Sequence, residues 1–214
     1  MTAKIKICGL MRAQDAEHAV AAGASYLGVV FAEGPRAITS DRARDVVAVA
    51  AGVPVVGVFT DHSVDEILQI AGQARFSMVQ LHGNYPETTA ERLRAEGFRV
   101  WRVVRIAVPS DLDLLIAAIP SSDAVLVEPR VAHARGGAGL PLDLAIAREA
   151  RARLAGHPMV LAGGLTPETV GDAVSLVRPE VVDVSSGVER QPGIKDFNKI
   201  ARFVEAVFAH SPIS

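Results

Sequence analysis

Short runs dominated by Val, Ile and Leu alternate along the chain with longer stretches in which apolar residues recur at helical spacing. Each pair takes roughly the 30 residues of a βαβ-type unit. Eight such pairs are counted. The predicted strands are Lys4 to Cys8, Tyr26 to Phe31, Val55 to Phe59, Met78 to His82, Arg99 to Arg105, Ala124 to Glu128, Met159 to Ala162 and Val181 to Ser185. The predicted helices are Ala13 to Ala22, Asp41 to Ala51, Val64 to Ala71, Pro86 to Glu96, Asp111 to Ala118, Leu142 to Leu154, Pro167 to Leu176 and Lys195 to Phe208. Gly23, Gly52, Gly72, Gly97 and Gly156 fall where helix C′ residues belong. Ser63 with Glu66 reads as a capping box, and Thr166 with Pro167 as an N-cap followed by proline at the first helical position. Phe197, Ile200, Val204 and Phe208 form one apolar stripe on the last helix, as a helix covering a sheet requires.

Eight strict alternations favour a closed (β/α)8 barrel, the TIM architecture, over an open doubly wound sheet with a topological switch point. No linker or low-complexity run divides the chain, so residues 1–214 are read as one barrel domain. In such a barrel the chemistry lies at the C-terminal ends of the strands.

Composition narrows the partners. Half of the 214 residues are apolar, enough for a sizeable core, and the formal net charge is −2. A charge of that sign offers no field for nucleic acid or an anionic membrane surface. The longest apolar stretch, Val46 to Phe59, is broken by Gly52 and Pro54 and is too short for a transmembrane helix. Lys4 and Lys6 flank no signal-peptide core. A single cysteine cannot form an internal disulfide and fits a reducing cytoplasm, the expected location. A monomer is expected, with a dimer as the alternative.

Two loops carry phosphate chemistry. After strand seven come Gly163 and Gly164, and after strand eight Ser185, Ser186 and Gly187. Glycines admit backbone N–H groups close to a phosphate, and serine hydroxyls and a helix N-terminus add donors of the right sign. Either loop alone is ordinary turn chemistry; adjacent and in register they form a phosphate cradle of the kind barrels use. A third glycine-rich run, Gly136-Gly137-Ala138-Gly139, reads as a mobile cover or a long turn.

On the first strand, alternation turns Lys4, Lys6 and Cys8 inward and Ile5 and Ile7 toward the helices. The eighth strand is the first strand's neighbour in a closed barrel and turns Asp183 inward, which predicts a buried Lys6–Asp183 pair beneath Cys8. On these residues alone the pair fills a barrel layer, and Cys8 is a small hydrophobe.

The run Lys6-Ile7-Cys8-Gly9-Leu10 resembles the opening signature of the phosphoribosylanthranilate isomerases of tryptophan biosynthesis. Gly34-Pro35-Arg36, Gly57-Val58-Phe59, Gln80-Leu81-His82-Gly83, Leu161-Ala162-Gly163-Gly164-Leu165, Val182 through Glu189 and Gly193-Ile194-Lys195-Asp196 continue the likeness in order along nearly the whole chain. The resemblance implies an intramolecular oxidoreductase working by cofactor-independent general acid–base catalysis, with no metal. Its reaction is an Amadori rearrangement of N-(5-phosphoribosyl)anthranilate, a phosphorylated aminosugar, to 1-(2-carboxyphenylamino)-1-deoxyribulose 5-phosphate. By matching positions, Cys8 would be the base that takes the C2 proton, and Arg36 a bidentate partner of the anthranilate carboxylate. Cys8 must then be partly thiolate near neutrality, helped by the charge of Lys6.

The family's acid is an aspartate at the end of strand six; here Val125-Leu126-Val127-Glu128-Pro129-Arg130 offers Glu128. Its carboxyl would have to be raised in pKa by burial or by the substrate carboxylate. Glu33-Gly34 before Pro35-Arg36, Thr169 in place of asparagine, and the loop Gly139 to Asp143 also depart from the family pattern. His82, inward at the end of strand four, is read as a substrate contact or as a structural histidine. His18, His62, His133, His157 and His210 show no metal-like spacing. Two alternatives stand beside the isomerase. One is a non-catalytic phosphosugar-binding barrel. The other is a bifunctional histidine and tryptophan pathway isomerase, which would want aspartates where Cys8 and Arg105 stand.

Overall fold

A computed structural model describes residues 2–130 and 143–211. The order is β1 (Lys4–Ile7), α1 (Ala13–Ala22), β2 (Tyr26–Val30), α2 (Ser40–Ala48), β3 (Val55–Phe59), α3 (Val64–Ala74), β4 (Met78–Leu81), α4 (Glu87–Ala95) and β5 (Arg99–Ile106). A 3-10 turn (Pro109–Leu112) then enters α5 (Asp113–Ala118), followed by β6 (Ala124–Pro129), α6 (Leu144–Arg153), β7 (Met159–Leu161), α7 (Val170–Val177) and β8 (Val181–Val184). A 3-10 turn (Ser186–Val188), the hairpin β9 (Glu189–Gln191) and β10 (Ile194–Lys195), and α8 (Phe197–His210) complete the described chain.

Strands β1 to β8 form one closed barrel in sequence order, and parallel β1–β8 pairing closes the ring with Lys6 opposite Asp183. The pleat sorts the side chains into two cores. Ile5, Ile7, Leu27, Val29, Val79, Val125 and Val127 face outward and join Ala16, Val46, Ile67, Leu93, Ala150, Val174 and Phe203 of the helices. Tyr26, Val56, Met78, Trp101, Ala124, Leu126, Val160, Ala162 and Val181 fill the bore as a second apolar cluster. The inward series then continues upward along each strand, from Met78 through Gln80 to His82 and from Ala124 through Leu126 to Glu128. No described helix is long and apolar enough to cross a membrane.

Several boundaries differ from the sequence reading. Gly72 lies inside α3, and Arg75 takes the left-handed C-cap at φ 65°. Thr166 and Pro167 sit in a turn before α7, which starts at Val170, so they cap that turn rather than the helix. Lys195 belongs to β10, and Asp196 is the N-cap of α8, its carboxylate accepting from the Lys199 N–H at 3.1 Å. On α8 the buried residues are Ile200, Phe203, Val204 and Val207, while Phe208 is 52% exposed; the buried stripe is rotated from the predicted one. The Ser63–Glu66 capping box is formed. The Gly136–Gly139 run, His133, the expected helix start at Leu142 and residues 139–142 of the departing loop lie outside the described residues.

Candidate active site

Cys8 follows the last residue of β1 and is 7% exposed, its N–H bonded to the Val184 carbonyl at 2.8 Å. Room for its sulfur comes from the neighbouring strand: a Cβ on Gly28 would lie 2.7 Å from Cys8 Sγ. A glycine inside a strand often marks such a close approach.

Below the thiol, Lys6 is fully buried and its Nζ donates to both oxygens of Asp183 at 3.1 Å and to Gln80 Oε1 at 3.0 Å. That satisfies all three ammonium protons inside the barrel. Burial acts to lower the Lys6 pKa, but Asp183 and Cys8 outweigh it, and the net shift is upward. For Cys8 the balance is opposite to the expectation from sequence. Burial pushes the thiol up and Asp183 adds to the rise, against the pull of Lys6 and Lys195. In the free protein Cys8 is therefore held toward the thiol, because desolvation of the anion exceeds what one already paired ammonium returns.

Glu128 near the end of β6 is 7% exposed, not a surface carboxylate. Its Oε1 accepts from His82 Nε2 at 2.8 Å and from Arg105 Nε at 2.9 Å. Arg105 stands opposite Glu128 in the β5–β6 register, and its Nη2 also donates to the His82 carbonyl at 3.1 Å. Burial acts to raise the Glu128 carboxyl, yet His82 and Arg105 hold it below the usual carboxylate range. The raised value expected for an acid is thus absent from the free site, because two donors share one oxygen.

Arg36 lies in the loop after β2, its alkyl chain against Gly9, where an added Cβ would come within 2.7 Å of Arg36 Cδ. In the free protein Arg36 forms a bidentate pair with a protein carboxylate. Arg36 Nε and Nη2 each donate to Glu189 at 2.8 Å. Lys195, 2% exposed, donates to Glu189 Oε1 at 2.9 Å and to the Ser185 carbonyl at 3.1 Å. Nε and Nη2 carry the guanidinium's hydrogen bonds among the described residues.

At the ends of β7 and β8 an open pocket of about 330 Å³ is lined by Gly164, Thr166, Pro167, Glu168, Ser186, Gly187, Lys199 and Arg202. Two predicted cradle residues sit elsewhere. Gly163 packs on Pro129, where a Cβ would approach Pro129 Cδ to 2.1 Å. Ser185 turns its hydroxyl toward Gly9, and that oxygen is buried without a partner among the described residues.

The family described as N-(5′-phosphoribosyl)anthranilate (PRA) isomerase matches residues 5–206. The chain belongs to this family. It is 39% identical over 206 residues to the N-(5′-phosphoribosyl)anthranilate isomerase of Pseudomonas fluorescens, covering 94% of this chain and 97% of that one. It is 40% identical to the same enzyme of Symbiobacterium thermophilum, covering 94% and 96%. The crystal structure of phosphoribosyl anthranilate isomerase from Thermotoga maritima superposes with a TM-score of 0.88 at 32% identity, covering 97% of this chain and 99% of that one. An isomerase structure in complex with reduced 1-(o-carboxyphenylamino)-1-deoxyribulose 5-phosphate superposes with a TM-score of 0.85 at 32% identity, with the same coverages.

Sequence reasoning missed several polar residues of this isomerase barrel. Gln80 and Arg105 were each legible as inward-facing by alternation, yet their partners lie on other strands. Glu189 meets Arg36, and Lys195 meets Glu189, only through the hairpin β9–β10, with Arg36 and Glu189 153 residues apart in the chain. Lys199 and Arg202 reach the pocket from α8, three residues apart and so on one helical face.

Proposed function

We propose that this isomerase rearranges N-(5′-phosphoribosyl)anthranilate with Cys8 as base, Glu128 as acid, Arg36 on the anthranilate carboxylate and the β7–β8 pocket on the phosphate. The observation that carries this reading is the inward placement of Cys8 and Glu128 at the C-terminal ends of β1 and β6, each set against a defined polar neighbour. Catalytic groups of barrels occupy such strand ends.

In the proposed reaction Glu128 gives a proton to the ribose ring oxygen as the bond from C1 to that oxygen breaks. The nitrogen lone pair forms the C=N bond of the opened Schiff base. The Cys8 thiolate then takes the C2 proton; the electrons of that C–H bond form C1=C2, and the C=N pair returns to nitrogen. The enolamine ketonises as its hydroxyl proton passes to the Glu128 carboxylate and the Cys8 thiol returns a proton to C1, which restores both groups and leaves product and substrate isomers. The free site favours thiol and carboxylate, the opposite protonation state from the one this step needs. A substrate carboxylate brought beside Glu128 adds negative charge that offsets the Arg105 charge and the His82 hydrogen bond and restores a proton to the acid.

Arg36, its Nε–Nη2 edge fixed by Glu189, would present Nη1 to that carboxylate. Backbone N–H groups of Gly164, Ser186 and Gly187, with the cations Lys199 and Arg202, fit a phosphate in the pocket.

The test follows the fluorescence of the anthranilate adduct with purified protein and no added metal. Fluorescence falls with the wild type. In Cys8→Ala turnover drops by roughly 10²–10⁴ while a product analogue still binds. Undiminished turnover in that variant removes Cys8 from the mechanism. Glu128→Asp keeps or raises the rate, and a Glu128→Ala protein at full rate removes the acid.

A further inference from the structure

A hydrogen-bonded chain crosses the bore from β1 to β6 and ends on Glu128. Lys6 Nζ meets Gln80 Oε1 at 3.0 Å, Gln80 Nε2 meets His82 Nδ1 at 3.1 Å, and His82 Nε2 meets Glu128 Oε1 at 2.8 Å. An ammonium has donors only, so the Gln80 atom facing Lys6 must accept, which leaves the amide NH2 facing His82. An amide nitrogen donates only, so His82 Nδ1 must carry a lone pair. The ring proton is then on Nε2, directed at the Glu128 carboxylate.

We propose that Gln80 is a positioning residue which, oriented by Lys6, holds His82 as the neutral Nε2–H tautomer that donates to Glu128. The other groups facing the ring give the same sense. Glu128 of β6 accepts, Arg105 of β5 donates to the His82 carbonyl and to the same Glu128 oxygen, and Asp183 of β8 keeps Lys6 charged and fixed. A neutral ring holds Glu128 with one hydrogen bond and no full charge, so the carboxyl can regain a proton when substrate arrives. An imidazolium in that place would bind the carboxylate as an ion pair and oppose protonation. Both donors go to Oε1, which leaves Oε2 as the oxygen to carry that proton.

The consequence for the reaction rests on the reading of Glu128 as the acid; the tautomer does not. Ring 15N correlations of the intact, 15N-labelled protein near neutral pH distinguish the forms, with the His82 signals assigned by their loss in His82→Asn. The wild type is expected to show Nε2 protonated and Nδ1 bare. An imidazolium or an Nδ1–H ring in the wild type overturns the proposal, and that measurement needs no variant at Gln80. Gln80→Glu puts an acceptor against Nδ1 and is expected to make His82 an imidazolium, lowering kcat by a large part of the roughly 10²–10⁴-fold that a general acid supplies, with KM little changed. Gln80→Met removes the amide without adding charge and is expected to give a mixture of tautomers; a wild-type ring spectrum there also overturns the lock. If the spectra behave as expected while Gln80→Glu and Glu128→Ala keep full rate, the lock stands and the assignment of Glu128 as acid fails.

Discussion

Within one bore the barrel uses two unlike kinds of layer. Tyr26, Met78, Trp101, Ala124, Leu126, Val160 and Val181, mostly from the N-terminal halves of their strands, meet as hydrocarbon, with Tyr26 edge-on to Trp101 at 5.0 Å between ring centroids. Toward the C-terminal ends, Lys6, Gln80, His82, Arg105, Glu128 and Asp183 meet atom to atom through directed hydrogen bonds. The apolar layer depends on area and volume, and conservative swaps in such layers usually cost less than about 1.5 kcal/mol. The polar layer depends on completeness: removing one partner leaves a buried charge or donor unsatisfied. Trp101 marks the boundary, since its Nε1 is buried without a partner among the described residues and Lys6 Nζ lies 6.0 Å from its ring. The same cylinder is thus tolerant at one level and brittle at the next.

That contrast breaks most visibly at the Lys6–Asp183 pair. Asp183→Ala leaves a fully buried ammonium with Gln80 as its remaining acceptor among the described residues. The expected loss is about 3–5 kcal/mol in urea unfolding, the range for breaking a buried pair from one side. Leu126→Met in the apolar layer is the matched control, with an expected loss below about 1.5 kcal/mol. Equal losses in the two variants would erase the distinction between the layers.

A smaller effect is expected where the polar layer touches the thiol. Gly28→Ala adds a methyl 2.7 Å from Cys8 Sγ and 3.0 Å from Cys8 Cα, so the sulfur must move. A misplacement of about 1 Å in a catalytic group can cost about a hundredfold in rate. The expected result is a kcat loss of that order with a much smaller change in KM. Full kcat would mean that the sulfur position is unimportant to the rate.

How much of this was legible in the sequence follows from the same two layers. Period-two alternation is local, so the strands and the inward sense of Lys6, Cys8, His82, Glu128 and Asp183 could be read directly from the chain. Ring closure added the Lys6–Asp183 register, because β1 and β8 must be neighbours in a barrel. Partnerships set by loops were not legible. Arg36 meets Glu189 only because a hairpin intervenes where the apolar pattern suggested that α8 had already begun at Lys195. Protonation also escaped the sequence. The Lys6 charge argued for a thiolate, but the extent of burial around Cys8 is a property of the closed bore.

The subtlest consequence of the polar layer is the dependence of stability on pH. Glu128 has a depressed pKa in the fold, so it contributes stability that is present above its ordinary value of 4.5 and is lost as pH falls through the lower folded value. Cys8 has a raised pKa, so its contribution is present below the ordinary thiol value of 9.0 and is lost as pH rises toward and through the higher folded value. The two groups therefore trim opposite edges of the stability plateau, each by about 1.4 kcal/mol for every tenfold difference in acidity between the folded and unfolded chain. Urea midpoints measured across pH should show Cys8→Ala flattening the alkaline decline and Glu128→Gln flattening the acid one, whatever either variant does to the plateau itself. An alkaline decline unchanged by Cys8→Ala would mean that the thiol ionises in the fold as easily as in the unfolded chain. The charge of Lys6 would then balance the burial of Cys8, leaving the thiol at its ordinary acidity rather than at the lowered value that a thiolate near neutrality needs.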